Sequence, residues 1–140
     1  MPDTPAAAPL ESSTLALLAL RCPRCHRGPL FKHPAASLRF MDMYDACVAC
    51  EQTFEPEPGF YYGAMYISFG FALAIFLACG VGVYFLAGDP DTWVYVAVVA
   101  AVTLVLTPLI FRYSRALMLY LFGGTGYDPR RVRRIEAEQE

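Results

Sequence analysis

Two long apolar stretches dominate the pattern. Gly63 to Ala87 runs for 25 residues without a charged side chain, and Thr92 to Phe111 runs for another 20. At ~1.5 Å per residue, both are long enough as helices to cross a hydrocarbon layer of ~30 Å, the first with some tilt. The short break Gly88-Asp89-Pro90-Asp91 between them predicts an antiparallel helical hairpin with spans at about 63–87 and 92–111. Aromatic residues cluster at the ends of both runs: Phe60, Tyr61, Tyr62 and Tyr66 at the first, Trp93, Tyr95 and Tyr113 at the second. Membrane helices carry their interfacial belts at such positions. After the second run, Arg112 and Arg115 precede Ala116-Leu117-Met118-Leu119-Tyr120-Leu121-Phe122, an apolar segment expected to extend the helix along the interface until Gly123 and Gly124 stop it.

The remainder divides around this hairpin. Residues 1–14 are Pro- and Ala-rich and read as a flexible tail. Residues 15–60 are polar and punctuated by proline, and they predict a compact module of short strands and turns. Ser12 or Ser13 is placed to cap a short helix over Leu15 to Leu20. That apolar run leads straight into Arg21 and Cys22, so a secretory signal is not expected. Residues 123–140 form a mixed basic and acidic tail in which Asp128 caps, and Pro129 begins, a helix reaching about Glu138. Its Arg130-Arg131-Val132-Arg133-Arg134 segment is expected to hold to an anionic leaflet, with Glu136, Glu138 and Glu140 opposing.

Composition sharpens this picture. Of 140 residues, 56% are hydrophobic and 17% charged, which is not the balance of an ordinary aqueous domain. All 11 Lys and Arg lie within residues 21–39 or 112–134, which leaves 72 consecutive positions without one. No nucleic-acid surface can cross that middle region, and no nucleic-acid partner is expected. Basic residues flank both ends of the hairpin and none lies in its loop, so both termini are expected on the cytoplasmic side of a bacterial inner membrane. Neither apolar run contains Asp, Glu, Lys, Arg or His, which argues against a transporter or proton relay. Pro108 withholds a hydrogen bond from Leu104 and predicts a mild kink. A stripe of small residues, Gly70, Ala74, Ala78 and Gly82, recurs every four positions and is expected to pack against the second run, where Ala97 and Ala101 match it, or against a second copy or another membrane protein.

The specific chemistry lies in five cysteines. Cys22-Pro23-Arg24-Cys25 and Cys47-Val48-Ala49-Cys50 are two C-x-x-C turns, and two such turns supply the four sulfurs of a tetrahedral metal site at ~2.3 Å. A head this short needs a metal or disulfides to fold. Cys22, Cys25, Cys47 and Cys50 are therefore the expected ligands of a structural Zn²⁺, with iron the less favoured metal. Cys22-x-x-Cys25-His26 also matches covalent haem attachment, and either C-x-x-C matches a thiol-redox pair, but haem leaves the second pair unused and the redox reading lacks its usual βαβ setting. Core candidates for the head are Leu30, Phe31, Leu38, Phe40, Met43, Tyr44, Val48 and Phe54. Arg21, Arg24 and Arg27 flank the first turn and Asp42, Asp45 and Glu51 the second, so closing the site is expected to bring opposite charges together. Cys79, alone in the first apolar run, reads as a packing residue. No nucleophile–base set and no phosphate-binding loop is present, since Gly123-Gly124-Thr125-Gly126 lacks the following Lys-Ser/Thr.

Several motifs together resemble the bacterial family called domain of unknown function 983. They are Cys22-Pro23-Arg24-Cys25 followed by Gly28-Pro29-Leu30-Phe31, Cys47-x-x-Cys50 with Phe54, the run Glu57 to Tyr66, and Phe111-Arg112-Tyr113-Ser114-Arg115. The likeness covers about residues 15–122. It departs at His26 and Glu51, positions where knuckles of this type commonly carry glycine. The resemblance implies a membrane protein with a two-helix hairpin, an N-terminal cytoplasmic zinc-ribbon-like module and a cytoplasmic C-terminal helical tail. The expected role is a non-enzymatic docking or assembly factor; the alternative is a metal-handling or thiol-redox protein acting in the assembly of a respiratory membrane complex.

Overall fold

A computed structural model describes residues 12–138 of the chain. Most of the expected N-terminal tail, residues 1–11, lies outside the described residues. Four helices occur in order: α1 (Ser13–Leu18), α2 (Tyr62–Ala87), α3 (Thr92–Phe122) and α4 (Pro129–Glu138). Helix α1 already begins within the segment expected to be a flexible tail.

Helices α2 and α3 are each long and apolar enough to cross a membrane. They pack against each other as an antiparallel pair. Gly88 ends α2 in the left-handed conformation, φ 66°, and its N–H donates to the Tyr84 carbonyl at 3.1 Å. A residue without Cβ enters that conformation at little cost, which is why the chain reverses here. Helix α3 runs through Pro108 as one element, and the neighbouring Thr107 hydroxyl donates to the Thr103 carbonyl at 2.8 Å.

The seam between the two helices differs from the expected one. Gly70, Ala74 and Ala78 are exposed, as are Ala97 and Ala101; Gly82 is half-buried. A Cβ built on Gly70 or on Gly82 would meet nothing within 4 Å. The seam uses branched and medium-sized side chains instead, with Ile67, Ala72, Ile75, Cys79 and Val83 half-buried on α2. Among the glycines of α2, only Gly63, at the base of the pair, meets α3 closely, since a Cβ there would clash with the Met118 side chain. The four-residue spacing is real, but it marks a face turned away from α3.

The head is built from turns joined by isolated antiparallel bridges, Arg21 with Pro29, Phe31 with Met43, and Ala46 with Thr53. No continuous strand forms among the described residues. Two tight cysteine turns and five prolines between positions 23 and 58 leave too little uninterrupted backbone for a ladder. Leu30, Phe31 and Phe54 are buried as expected, while Leu38 and Val48 are exposed. Their place in the core is taken by Ala116 and Leu119 of α3, which join the cysteines, Leu30, Phe31 and Phe54 in one buried cluster. The final third of α3 thus supplies the wall of a head too small to enclose its own interior.

Candidate metal centre

Each cysteine turn is closed by two backbone hydrogen bonds, of which one has the same register in both turns. In the first, Cys22 N–H donates to the Gly28 carbonyl at 2.8 Å and His26 N–H to the Cys22 carbonyl at 2.9 Å; in the second, Cys47 donates to Gln52 at 2.8 Å and Glu51 to Cys47 at 2.9 Å. His26 and Glu51, each following the second cysteine of its turn, take φ of 54° and 56°. That is the conformation glycine adopts most readily, so the two departures from glycine keep the knuckle backbone at a local steric cost. His26 is buried, and its ring stacks on Tyr127 with centroids 4.5 Å apart.

The two turns bring all four sulfurs together. The Sγ atoms of Cys22, Cys25, Cys47 and Cys50 lie within 4.8 Å of one another, and no one of these residues is more than 4% exposed. Cys25 and Cys47 approach to 3.6 Å and Cys22 and Cys50 to 3.8 Å. A tetrahedron with metal–sulfur bonds of ~2.3 Å has edges of ~3.8 Å. The donor set therefore fits one tetrahedral ion, and disulfide bonds are absent from the cluster.

Electrostatics favour thiolates in part of the site. The Cys25 thiol lies far below its usual range, chiefly through its hydrogen bond with Cys22, and that of Cys47 is pulled down to about 7, again chiefly by Cys22. Cys22 is correspondingly pushed up, first by its hydrogen bond with Cys25. Four thiols in one small volume cannot all lose protons unless a cation replaces them, and a bound dication does so. Backbone N–H groups contribute as well: Ala49 N–H points at Cys47 Sγ at 3.4 Å.

Gly28 was not among the expected ligating or supporting residues, yet it is essential to the packing. A Cβ at this position would fall 2.4 Å from Cys47 Sγ. Its signal in the sequence was its place three residues after Cys25, on the return limb of the first turn. The flanking charges behave differently from expectation. Arg24 donates to the Gln52 side chain and Arg21 to the Arg27 carbonyl at 3.1 Å. Among the described residues, neither Arg21 nor Arg24 pairs with a carboxylate of the second turn, because a neutral Gln52 stands where Arg24 arrives.

The centre is fastened to the long helices by side chains that act as ties. The Arg112 guanidinium donates to the His33 carbonyl at 2.7 Å and lies over the Phe31 ring, 4.3 Å from its centroid. Arg115 donates to the Met41 carbonyl at 3.1 Å, Tyr113 to Leu18 at 2.9 Å and Tyr120 to Arg21 at 2.8 Å. Tyr61, at the start of the hairpin, donates to Phe54 at 2.6 Å. Tyr61 and Tyr113, expected in an interfacial belt, thus hold the head as well. The tail is tied to the first turn through Asp128 N–H and the Arg24 carbonyl at 3.0 Å, and α4 begins as expected with Arg130 N–H on Asp128 Oδ1 at 3.0 Å.

Comparison with known proteins places the larger part of the chain, without the first cysteine turn, in a family. The family model described as protein of unknown function (DUF983) matches residues 38–122. The chain belongs to that family. The match takes in the second cysteine turn, both apolar helices and the arginine and tyrosine ties of α3. No curated protein and no solved structure matches the chain.

Proposed function

We propose that this chain is a membrane-anchored, zinc-binding docking or assembly factor without enzymatic activity, sited in the bacterial inner membrane with both termini cytoplasmic. The observation that carries the reading is the continuity of the buried cluster from the four cysteines into Ala116 and Leu119 of α3. A metal in that position stiffens the head and fixes its attitude on the hairpin, which is what a docking surface requires and a diffusing redox domain does not. Zinc is favoured over iron because a closed, buried tetrathiolate needs no redox chemistry to account for it.

Burial of the sulfurs also separates this reading from metal handling. A delivery site exposes its ligands to a partner, whereas these are buried in one cluster with Leu119. The outward face of Gly70, Ala74 and Ala78 remains available to a membrane partner or a second copy. The experiment is crosslinking in intact membranes followed by purification in detergent, comparing the native chain with Cys47→Ser. A discrete membrane protein captured by the native chain and lost with the variant supports docking. Rapid exchange of the metal with a mild chelator, together with no captured partner, would favour delivery instead.

A further inference from the structure

The cleft between the head and the start of the hairpin has chemistry that neither the metal centre nor the helix pair uses. It measures about 780 Å³, within the ~300–1,000 Å³ of small-molecule sites. Its lining includes two cations, Lys32 of the head and Arg115 of α3, and three head carboxylates, Asp42, Asp45 and Glu55. Among the described residues, neither cation forms an ion pair with any of these carboxylates. Lys32 lies over the Tyr44 ring at 5.6 Å and Arg115 over the Tyr61 ring at 5.5 Å, while Asp42 stands 3.8 Å from His33.

The long helices line the rest of it, with Met65 and Ser68 of α2 and with Phe111 of α3, one turn before Arg115 on the same helix. Counting from the loop, Ser68 and Phe111 are each the twentieth residue along their helix, so they lie at the same depth on the antiparallel pair. The second apolar run ends at that depth, with Arg112 following Phe111, so on the proposed membrane placement it lies near the headgroups. The loop between His33 and Met41, whose ends Arg112 and Arg115 hold, presents a fully exposed Leu38.

We propose that this cleft binds the headgroup of one phospholipid bearing both a phosphate and a primary ammonium, as in phosphatidylethanolamine. The phosphate is taken by Lys32 and Arg115, the ammonium by Asp45 and Glu55, and the acyl chains pass down beside Met65 and Phe111. Two cations against three carboxylates disfavour a ligand that is only anionic, and a quaternary ammonium has no N–H to donate to the carboxylates. The inference rests on the membrane placement proposed above.

The test uses the full chain, delipidated in detergent, with bound lipid counted by native mass spectrometry. The probes are dioleoyl phosphatidylethanolamine, phosphatidylcholine and phosphatidylglycerol, with acyl-free glycerophosphoethanolamine as a soluble counterpart. One phosphatidylethanolamine per chain should be retained in preference to the other lipids. Lys32→Gln and Glu55→Gln should each weaken that binding about tenfold, the weight of one charge-assisted hydrogen bond, without lowering the melting temperature. Equal retention of the three lipids, or unchanged binding by both variants, would overturn the proposal. Glycerophosphoethanolamine binding as tightly as the lipid would overturn the lipid as occupant. A chain that stays in the aqueous fraction without detergent fails the membrane placement itself; one that needs detergent but shows no headgroup preference fails the cleft alone.

Discussion

Glu51 holds a left-handed backbone, φ 56°, that costs a non-glycine residue ~1–2 kcal/mol. Its side chain is exposed, so glycine would relieve the strain while removing nothing buried. Glu51→Gly should therefore stabilise the head by about 1 kcal/mol, allowing for the greater freedom of glycine in the unfolded chain. The check is the shift in melting temperature in detergent, and a decrease would show that Glu51 makes a contact worth more than its strain. Gly28 presents the opposite case, since any side chain there meets Cys47 Sγ. Gly28→Ala should cut the metal bound per purified chain well below that of the native protein, and an unchanged metal content would mean that the two turns can move apart. At this scale the ligands were legible in the sequence because C-x-x-C spacing alone aims two sulfurs at one point. Gly28 was not, because its neighbour Cys47 lies across the fold and is set by tertiary closure.

Helix α3 performs two tasks that its sequence displays only in part. Its apolar length was legible from the absence of charge, and its end at Gly123 from the glycine pair. That its last third would be buried in the head was not, since an apolar segment after two arginines reads equally as an interfacial helix. Arg112 illustrates the ambiguity: counted as a topogenic charge, it is in fact 8% exposed and lies against Phe31. Arg112→Gln should destabilise the head's attachment by about 2 kcal/mol, the scale of a charged hydrogen bond to the His33 carbonyl with a ring contact added. Limited proteolysis of the 33–41 loop would read it, and native-like protection would contradict the tie. The small-residue stripe gives a second contrast. Ala74 is exposed whereas Ala64 is buried against the base of the pair. Ala64→Leu should cost about 1–3 kcal/mol by overpacking, and Ala74→Leu should leave the melting temperature of the single chain unchanged. Loss of stability from Ala74→Leu would place a partner on that face.

At the scale of the molecule, the hairpin, the head and the tail were legible as separate segments, but the ties that join them were not. Tyrosines at 61, 113 and 120 reach head carbonyls that only the folded chain brings near. The proposed orientation rests on eleven basic residues, all outside the loop. A cysteine introduced at Thr92, in a chain carrying Cys79→Ala, should react with an impermeant reagent in intact cells; reaction only after lysis would invert the topology. The central claim is that one ion, held by four sulfurs, makes the head a rigid extension of α3. X-ray absorption at the zinc edge of the purified full chain tests it most directly. The account predicts one zinc per chain with four sulfur neighbours at ~2.3 Å and no light-atom ligand. A chain purified without metal, or a first shell containing nitrogen or oxygen, would contradict it.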